Sequence, residues 1–305
     1  MNFGDFGMDT ASLTGSLEGK LAAMRQAGFS QVMISAADIV GHPLGMTAGA
    51  RAVRDSGLRV TGFEALRDFE GLTGQLHDYK VDVAKSMLTV CSAVGAQLLL
   101  VEASTSTHAD TSAHAIARDL HKLAMLAIPL GIRIAFKGLS WSRTANELAI
   151  ASDVVFRAAC PNVGLAIDSF DMFASRTPQE ELDLLDPRQI FLVQLSDYMW
   201  KDIPSAAEQA ATAIHFRVFP GEGAHSDALA SLVMRLDKIG YRGDYSFDVY
   251  NDDYHQMPPD VVANRARQAA EWLGETVLRR TLPVPNLERL RRPTGEHAGA
   301  HGVMR

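Results

Sequence analysis

The feature that most constrains this chain is a repeated punctuation: an amphipathic helical stretch, a Gly or Pro stop, then a short apolar run. It occurs as AGF-SQVMIS, SGL-RVTGFE, VGA-QLLLVE, LGI-RIAFK, CPN-VGLAID, DPR-QIFLVQL and YRG-DYSFDV. A glycine after the last helical turn supplies the left-handed cap that lets a chain reverse into a strand. An opening run around Phe3–Asp9 brings the expected strands to eight. Between them, helical spacing places Leu17, Leu21 and Met24 on one face, and Val83, Met87, Val90 and Val94 on another. Ile116, Leu120, Leu123 and Ala127 repeat the pattern, as do Leu229, Leu232, Val233 and Leu236. A last helix opens at Pro258-Pro259-Asp260 and turns Val262, Ala266, Ala269 and Leu273 inward.

Near-continuously apolar strands alternating with helices mean a parallel sheet covered on its outside. Eight such units predict an α/β chain folded as one (β/α)₈ TIM barrel over residues 1–280. An open doubly wound sheet would carry a glycine-rich phosphate turn after its first strand. Here that position reads MDTASLTGSLEGK, with neither GxGxxG nor a P-loop. The final stretch, residues 281–305, is rich in proline and small residues and reads as a surface arm or a disordered tail. Its Val284-Pro285 and Leu287/Leu290 suit docking on a neighbouring subunit, the route to a homo-oligomer.

A formal charge of -7 argues against non-specific nucleic-acid binding. No apolar run reaches the length of a membrane span, and the N-terminus has no basic-then-apolar leader. Cys91 and Cys160 form no CxxC and read as thiols in a reducing compartment. The expectation is a cytoplasmic protein acting on a small-molecule substrate, with no nucleic-acid or membrane partner.

Four apolar runs end on polar groups of the kind that bind metals or move protons: RIAFK on Lys137, GLAID on Asp168, FLVQ on Gln194 and YSFD on Asp248. In a parallel barrel such strand ends converge on one mouth. Glu102, closing LLLVE, joins them as a proton acceptor or as the counter-ion of a barrel lysine. Loop candidates are Asp171, His215, Arg217, and Arg67 just after the third strand. The arginines suit bidentate capture of a carboxylate or phosphate, with surface ion pairing as the alternative. His215 is an acid/base candidate or a satisfied loop histidine. Trp141 is a cavity wall, and Asn146 either contacts substrate or caps the helix near Glu147.

The motifs DSF, QLSD, HFRVFPGEG, YSFDVYND, RDFEG and LSWSRTAN, taken together over residues 10–280, resemble the xylose-isomerase-like barrel superfamily. Within it the resemblance is to bacterial 3-dehydroshikimate dehydratases, some of which carry a dioxygenase-like domain after the barrel. The resemblance implies one divalent cation (Mg²⁺, Mn²⁺ or Co²⁺) held by Glu, Asp, Gln and Glu at strand ends. Carried over, those four positions are Lys137, Asp168, Gln194 and Asp248, and the family's frequent His is Asp171.

An ammonium cannot ligate a cation, so three arrangements stay open. Lys137 takes the cation's place between Asp168 and Asp248; or a metal persists on Asp168, Asp171, Gln194 and Asp248; or Lys137 forms an imine with a ketone. The implied function is proton abstraction beside a carbonyl on a small cyclic or polyhydroxylated keto acid, as a dehydratase or isomerase. The alternative is a metal-free, non-catalytic ligand-binding barrel derived from that family. A DNA-repair endonuclease of this barrel type needs a His-rich zinc cluster and a basic face, and the sequence shows neither.

Overall fold

Alternation along each strand decides what lies inside this molecule and what lies between strand and helix. The computed structural model describes residues 4–279. Its strands are β1 (Phe6–Asp9), β2 (Gln31–Ser35), β3 (Arg59–Arg67), β4 (Leu98–Glu102), β5 (Arg133–Lys137), β6 (Val163–Asp168), β7 (Ile190–Leu195) and β8 (Tyr245–Phe247). They pair in chain order, all parallel, and β1 closes on β8 through Phe6↔Tyr245. The closed eight-stranded barrel is the expected architecture. β1 begins at Phe6, three residues later than the sequence suggests. The boundary at 280, the arm 281–305 and its docking lie outside the described residues.

On β5, Ile134 and Phe136 face outward into the large cluster beneath the helices, while Ala135 and Lys137 face the barrel axis. The same parity turns Leu98, Leu100, Ala166, Leu192 and Met33 inward as an apolar layer. Truncating one such leucine to alanine costs about 2–5 kcal/mol. Gly164 belongs to this interior for want of space: a Cβ there would sit 2.6 Å from the Gln189 carbonyl oxygen and 2.7 Å from the Phe191 ring. One step further along the strands, the same parity produces a polar layer of Asp9, Glu64, Glu102, Lys137, Asp168 and Gln194, with Ser246 and Asp248 from β8 and its end.

Most expected helix faces are buried as read, including Leu229, Leu232, Val233 and Leu236 on helix Ser226–Lys238. The helix Gly74–Ala93 is the exception. Its fully buried stripe is Ala84, Leu88 and Cys91, and Val83, Met87 and Val90 flank it half-buried. The three buried side chains lack the branching at Cβ of Val83 and Val90, and the stripe is rotated by one position from the expected face. Helix Ala206–His215 starts on a capping box, Ser205 accepting from the Glu208 amide and the Glu208 carboxylate accepting from the Ser205 amide. Beyond its end, short antiparallel bridges Phe216↔Asn251 and Asp197↔Val218 fix the chain on both sides of Arg217. Among the described residues no helix is long and apolar enough to cross a membrane.

Candidate active site

Lys137 is 1% exposed, and a buried ammonium is tolerable only when its donors are all used. Its Nζ lies 2.9 Å from Gln194 Oε1, 3.0 Å from Glu102 Oε1, and 3.5 Å from both Asp168 Oδ2 and Asp248 Oδ2. Arg217, equally buried, adds a second cation: Nη1 donates to Asp168 Oδ2 at 2.8 Å and Asp248 Oδ2 at 3.2 Å, and Nε to the Ala213 carbonyl at 3.1 Å. Its guanidinium carbon stands 4.5 Å over the Phe170 ring. A third cation, Arg67, holds Glu102 Oε2 through Nε at 2.6 Å from an exposed position at the end of β3.

Electrostatics follow from this wiring. Burial by itself lowers the Lys137 pKa, but Glu102, Asp248 and Asp168 overcome it and hold the amine well above the ordinary lysine range. Burial pushes the Glu102 carboxyl up, and Lys137 and Arg67 outweigh it and bring the group down to about 2. Asp171 is raised to about 7, chiefly by burial and then by Asp168. Asp9 is raised to about 7 by burial and by Asp248, and Glu64 stands well above the usual carboxylate range because of burial, Asp9 and Asp248. Lys137 stays charged, which disfavours the imine arrangement.

A cavity of about 260 Å³ opens above the polar layer, with Arg67, Glu102, Trp141, Arg217, Asp248 and Tyr250 in its lining. Lys137 is not in the lining; it sits directly behind Glu102 and Asp248. The Nη2 atom of Arg217 and both terminal nitrogens of Arg67 make no hydrogen bond to the described residues. Tyr250 likewise keeps its hydroxyl free of described partners, and burial followed by Glu64 and Asp248 pushes its pKa up, so it is a neutral donor.

Three expected residues lie elsewhere. His215 pairs with Asp252 at 3.1 Å with 45% of its side chain exposed, and does not line the cavity, because the helix that delivers Arg217 points the residue before the bridge outward. Asn146 borders a separate small hollow with Asp168 and Asp171, and the helix Leu148–Ala158 is preceded by Glu147, not Asn146, at its N-cap. Asp171 also borders that hollow, its Oδ1 accepting the Ser140 amide at 2.7 Å and its Oδ2 without a partner among the described residues. Asp9 and Glu64 were absent from the sequence candidates, although strand parity applied to β1 and β3 points both inward.

The metal that the resemblance implies does not fit its four positions. Their centre is the Lys137 ammonium, which has no lone pair to offer and repels a cation. A different trio of buried carboxylates, Asp9, Glu64 and Asp248, brings ligand oxygens within 4.8 Å of one another, close enough to share a metal ion.

The sequence model of the xylose isomerase-like TIM barrel matches residues 21–276. The chain belongs to that family. Among curated relatives of this xylose isomerase-like barrel, the 3-dehydroshikimate dehydratase of Pseudomonas aeruginosa is 31% identical over 266 residues. That match covers 87% of this chain and 41% of the dehydratase, so the barrel spans well under half of its relative's length. An inosose isomerase of Bacillus licheniformis is 24% identical over 216 residues, covering 69% of this chain and 74% of the isomerase. Among solved structures, a xylose isomerase-like TIM barrel/4-hydroxyphenylpyruvate dioxygenase fusion protein superposes with TM-score 0.83 at 27% identity, over 95% of this chain and 45% of the fusion protein. The IolI protein with a bound zinc atom shares the fold, with TM-score 0.77 at 21% identity over 90% of this chain and 99% of IolI.

Proposed function

We propose that this barrel is an enzyme that abstracts a proton next to a carbonyl of a small cyclic or polyhydroxylated keto acid, as a dehydratase or an isomerase. The observation that carries the reading is the position of Lys137 Nζ, within 3.5 Å of Glu102, Asp168, Gln194 and Asp248. It is a fixed positive charge where the family resemblance implies a cation. Removing a proton beside a carbonyl develops an oxyanion, and a preorganised positive potential in a poorly hydrated site stabilises it. The similarity to a dehydratase and to inosose isomerases supports the same chemical class.

The chain's own residues divide the work. Arg67 and Arg217 line the cavity with unpartnered nitrogens and capture the substrate carboxylate. Glu102 is the proton acceptor. In the free protein it is a weak base, clamped between Lys137 and Arg67. A substrate carboxylate that takes Arg67 removes one of those two cations and raises the basicity of Glu102 at the moment it is needed. Lys137, behind the wall, acts through its charge together with Arg217, and Trp141 shields the reacting atoms from water. Dehydration then expels a neighbouring hydroxyl, which leaves as water with the abstracted proton, whereas isomerisation delivers that proton to the former carbonyl carbon while the adjacent hydroxyl gives its own proton to the former carbonyl oxygen.

The test is direct assay of 3-dehydroshikimate conversion to protocatechuate by absorbance, and of inosose isomerisation by NMR. Turnover of either, abolished in Glu102→Gln, is the expected result. Saturable binding of these cyclic ketones with no turnover of either would instead make the protein a non-catalytic ligand-binding barrel.

A further inference from the structure

Gln194 divides the polar layer into two halves. Its Oε1 accepts from Lys137 at 2.9 Å, while its Nε2 donates to Asp9 Oδ2 at 2.7 Å and Glu64 Oε2 at 3.3 Å. On one side stand the cations Lys137 and Arg217. On the other stand Asp9, Glu64 and Asp248, each at most 4% exposed, with ligand oxygens within 4.8 Å of one another. Two oxygens of this trio, Glu64 Oε1 and Asp248 Oδ1, are buried without a hydrogen-bond partner among the described residues. A buried polar oxygen left without a partner forfeits its hydration, and the penalty grows when it is charged. Such oxygens in one acidic cluster call for a ligand.

The carboxyl groups around this layer also outnumber its cations. Six buried carboxyl groups (Asp9, Glu64, Glu102, Asp168, Asp171 and Asp248) face three cations (Lys137, Arg67 and Arg217). Each of those three cations is already paired on the far side of Gln194. Asp248 is the hinge between the halves: its Oδ2 serves Lys137 and Arg217, and its Oδ1 has no partner among the described residues.

We propose that Asp9, Glu64 and Asp248 bind one divalent cation, Mg²⁺ or Mn²⁺, on the β8–β1–β3 side of the barrel rather than among residues 137, 168 and 194. All three donors are hard carboxylate oxygens, and three protein ligands leave positions open for water or a substrate oxygen. Asp248 lines the cavity, which gives the ion an entry path. The ion gives the orphaned oxygens a partner and a counter-charge.

The experiment is titration of the EDTA-stripped, dialysed full chain with Mn²⁺, read by loss of the free-Mn²⁺ paramagnetic resonance signal. One Mn²⁺ per chain is expected, weakened at least about 10-fold in Glu64→Gln and in Asp9→Asn, since even residues behind a metal's ligands change affinity by that much. Asp168→Asn retains the ion. Circular dichroism checks each variant's fold, and the wild type and Asp168→Asn decide the matter if an acidic-trio variant does not fold. No Mn²⁺ on the wild type, or loss in Asp168→Asn, overturns the site, as does retention in both trio variants. Because the readout is binding, the result is independent of the proposed reaction.

Discussion

Lys137 Nζ and Glu102 Oε1 lie 3.0 Å apart at the ends of adjacent strands, and the two residues are register partners in the β4–β5 ladder. The pairing is therefore set by the sheet itself, and neither side chain depends on a loop to find the other. It also accounts for the charge states: each partner holds the other ionised against the penalty of burial.

Removing that ammonium leaves Glu102, Asp168 and Asp248 facing one another with Arg217 and Arg67 as their remaining cations. Lys137→Met is expected to destabilise the barrel by about 3–5 kcal/mol, the range for breaking a buried ion pair from one side. Urea denaturation of wild type and variant measures it. A change below about 1 kcal/mol would show that the network is solvated rather than buried.

Asp171 makes a pH prediction with a definite sign. Its carboxyl is raised from 3.8 to about 7, so between those values the folded protein keeps a proton that the unfolded chain has released. Stability therefore falls as pH rises from about 4 to about 7. The displacement sets an upper limit of about 4 kcal/mol on this contribution. Asp171→Asn keeps an oxygen acceptor for the Ser140 amide and flattens the slope. Chemical denaturation at pH 5 and pH 8 shows it as a gain for the variant at the higher pH.

Arg67 contributes little to packing, since 62% of its side chain is exposed. Arg67→Ala is expected to leave the melting temperature nearly unchanged, to raise the KM for a carboxylate substrate by about 10-fold or more, and to lift the Glu102 pKa. Steady-state kinetics and a pH–rate profile separate the two effects.

His215 provides the control. Its ion pair with Asp252 is on the surface, where such pairs contribute about 0–1 kcal/mol. His215→Ala is expected to keep kcat/KM at the wild-type level with an intact fold. A large loss would place this histidine in the chemistry, and the site would have to be redrawn.

The barrel was legible because its signal is periodic and repeated: Gly or Pro stops followed by apolar runs cannot easily mean anything else. Lys137, Asp168 and Gln194 were legible for a related reason, since a polar residue ending an apolar run stands out and strand parity aims it inward. Asp9 and Glu64 obey the same parity, but Asp9 closes a strand of only four residues, too short to stand out as an apolar run, and β3 runs three residues past Glu64. Loop residues carry no parity. His215 and Asn146 were read as candidates in segments that follow strand ends, and the structure sets His215 at an exposed helix end and Asn146 beside a separate hollow. Glu102 was legible as the counter-ion of a barrel lysine, which it is for Lys137, and only the ladder adds Arg67 to that pair.

The most direct test of the central claim is deuterium wash-in. The protein is incubated in D₂O with 3-dehydroshikimate or inosose, and the hydrogens on the carbons beside the carbonyl are followed by NMR. The account predicts exchange at one such carbon with the wild type and none with Glu102→Gln. Substrate that binds with every one of those hydrogens retained in the wild type would contradict it.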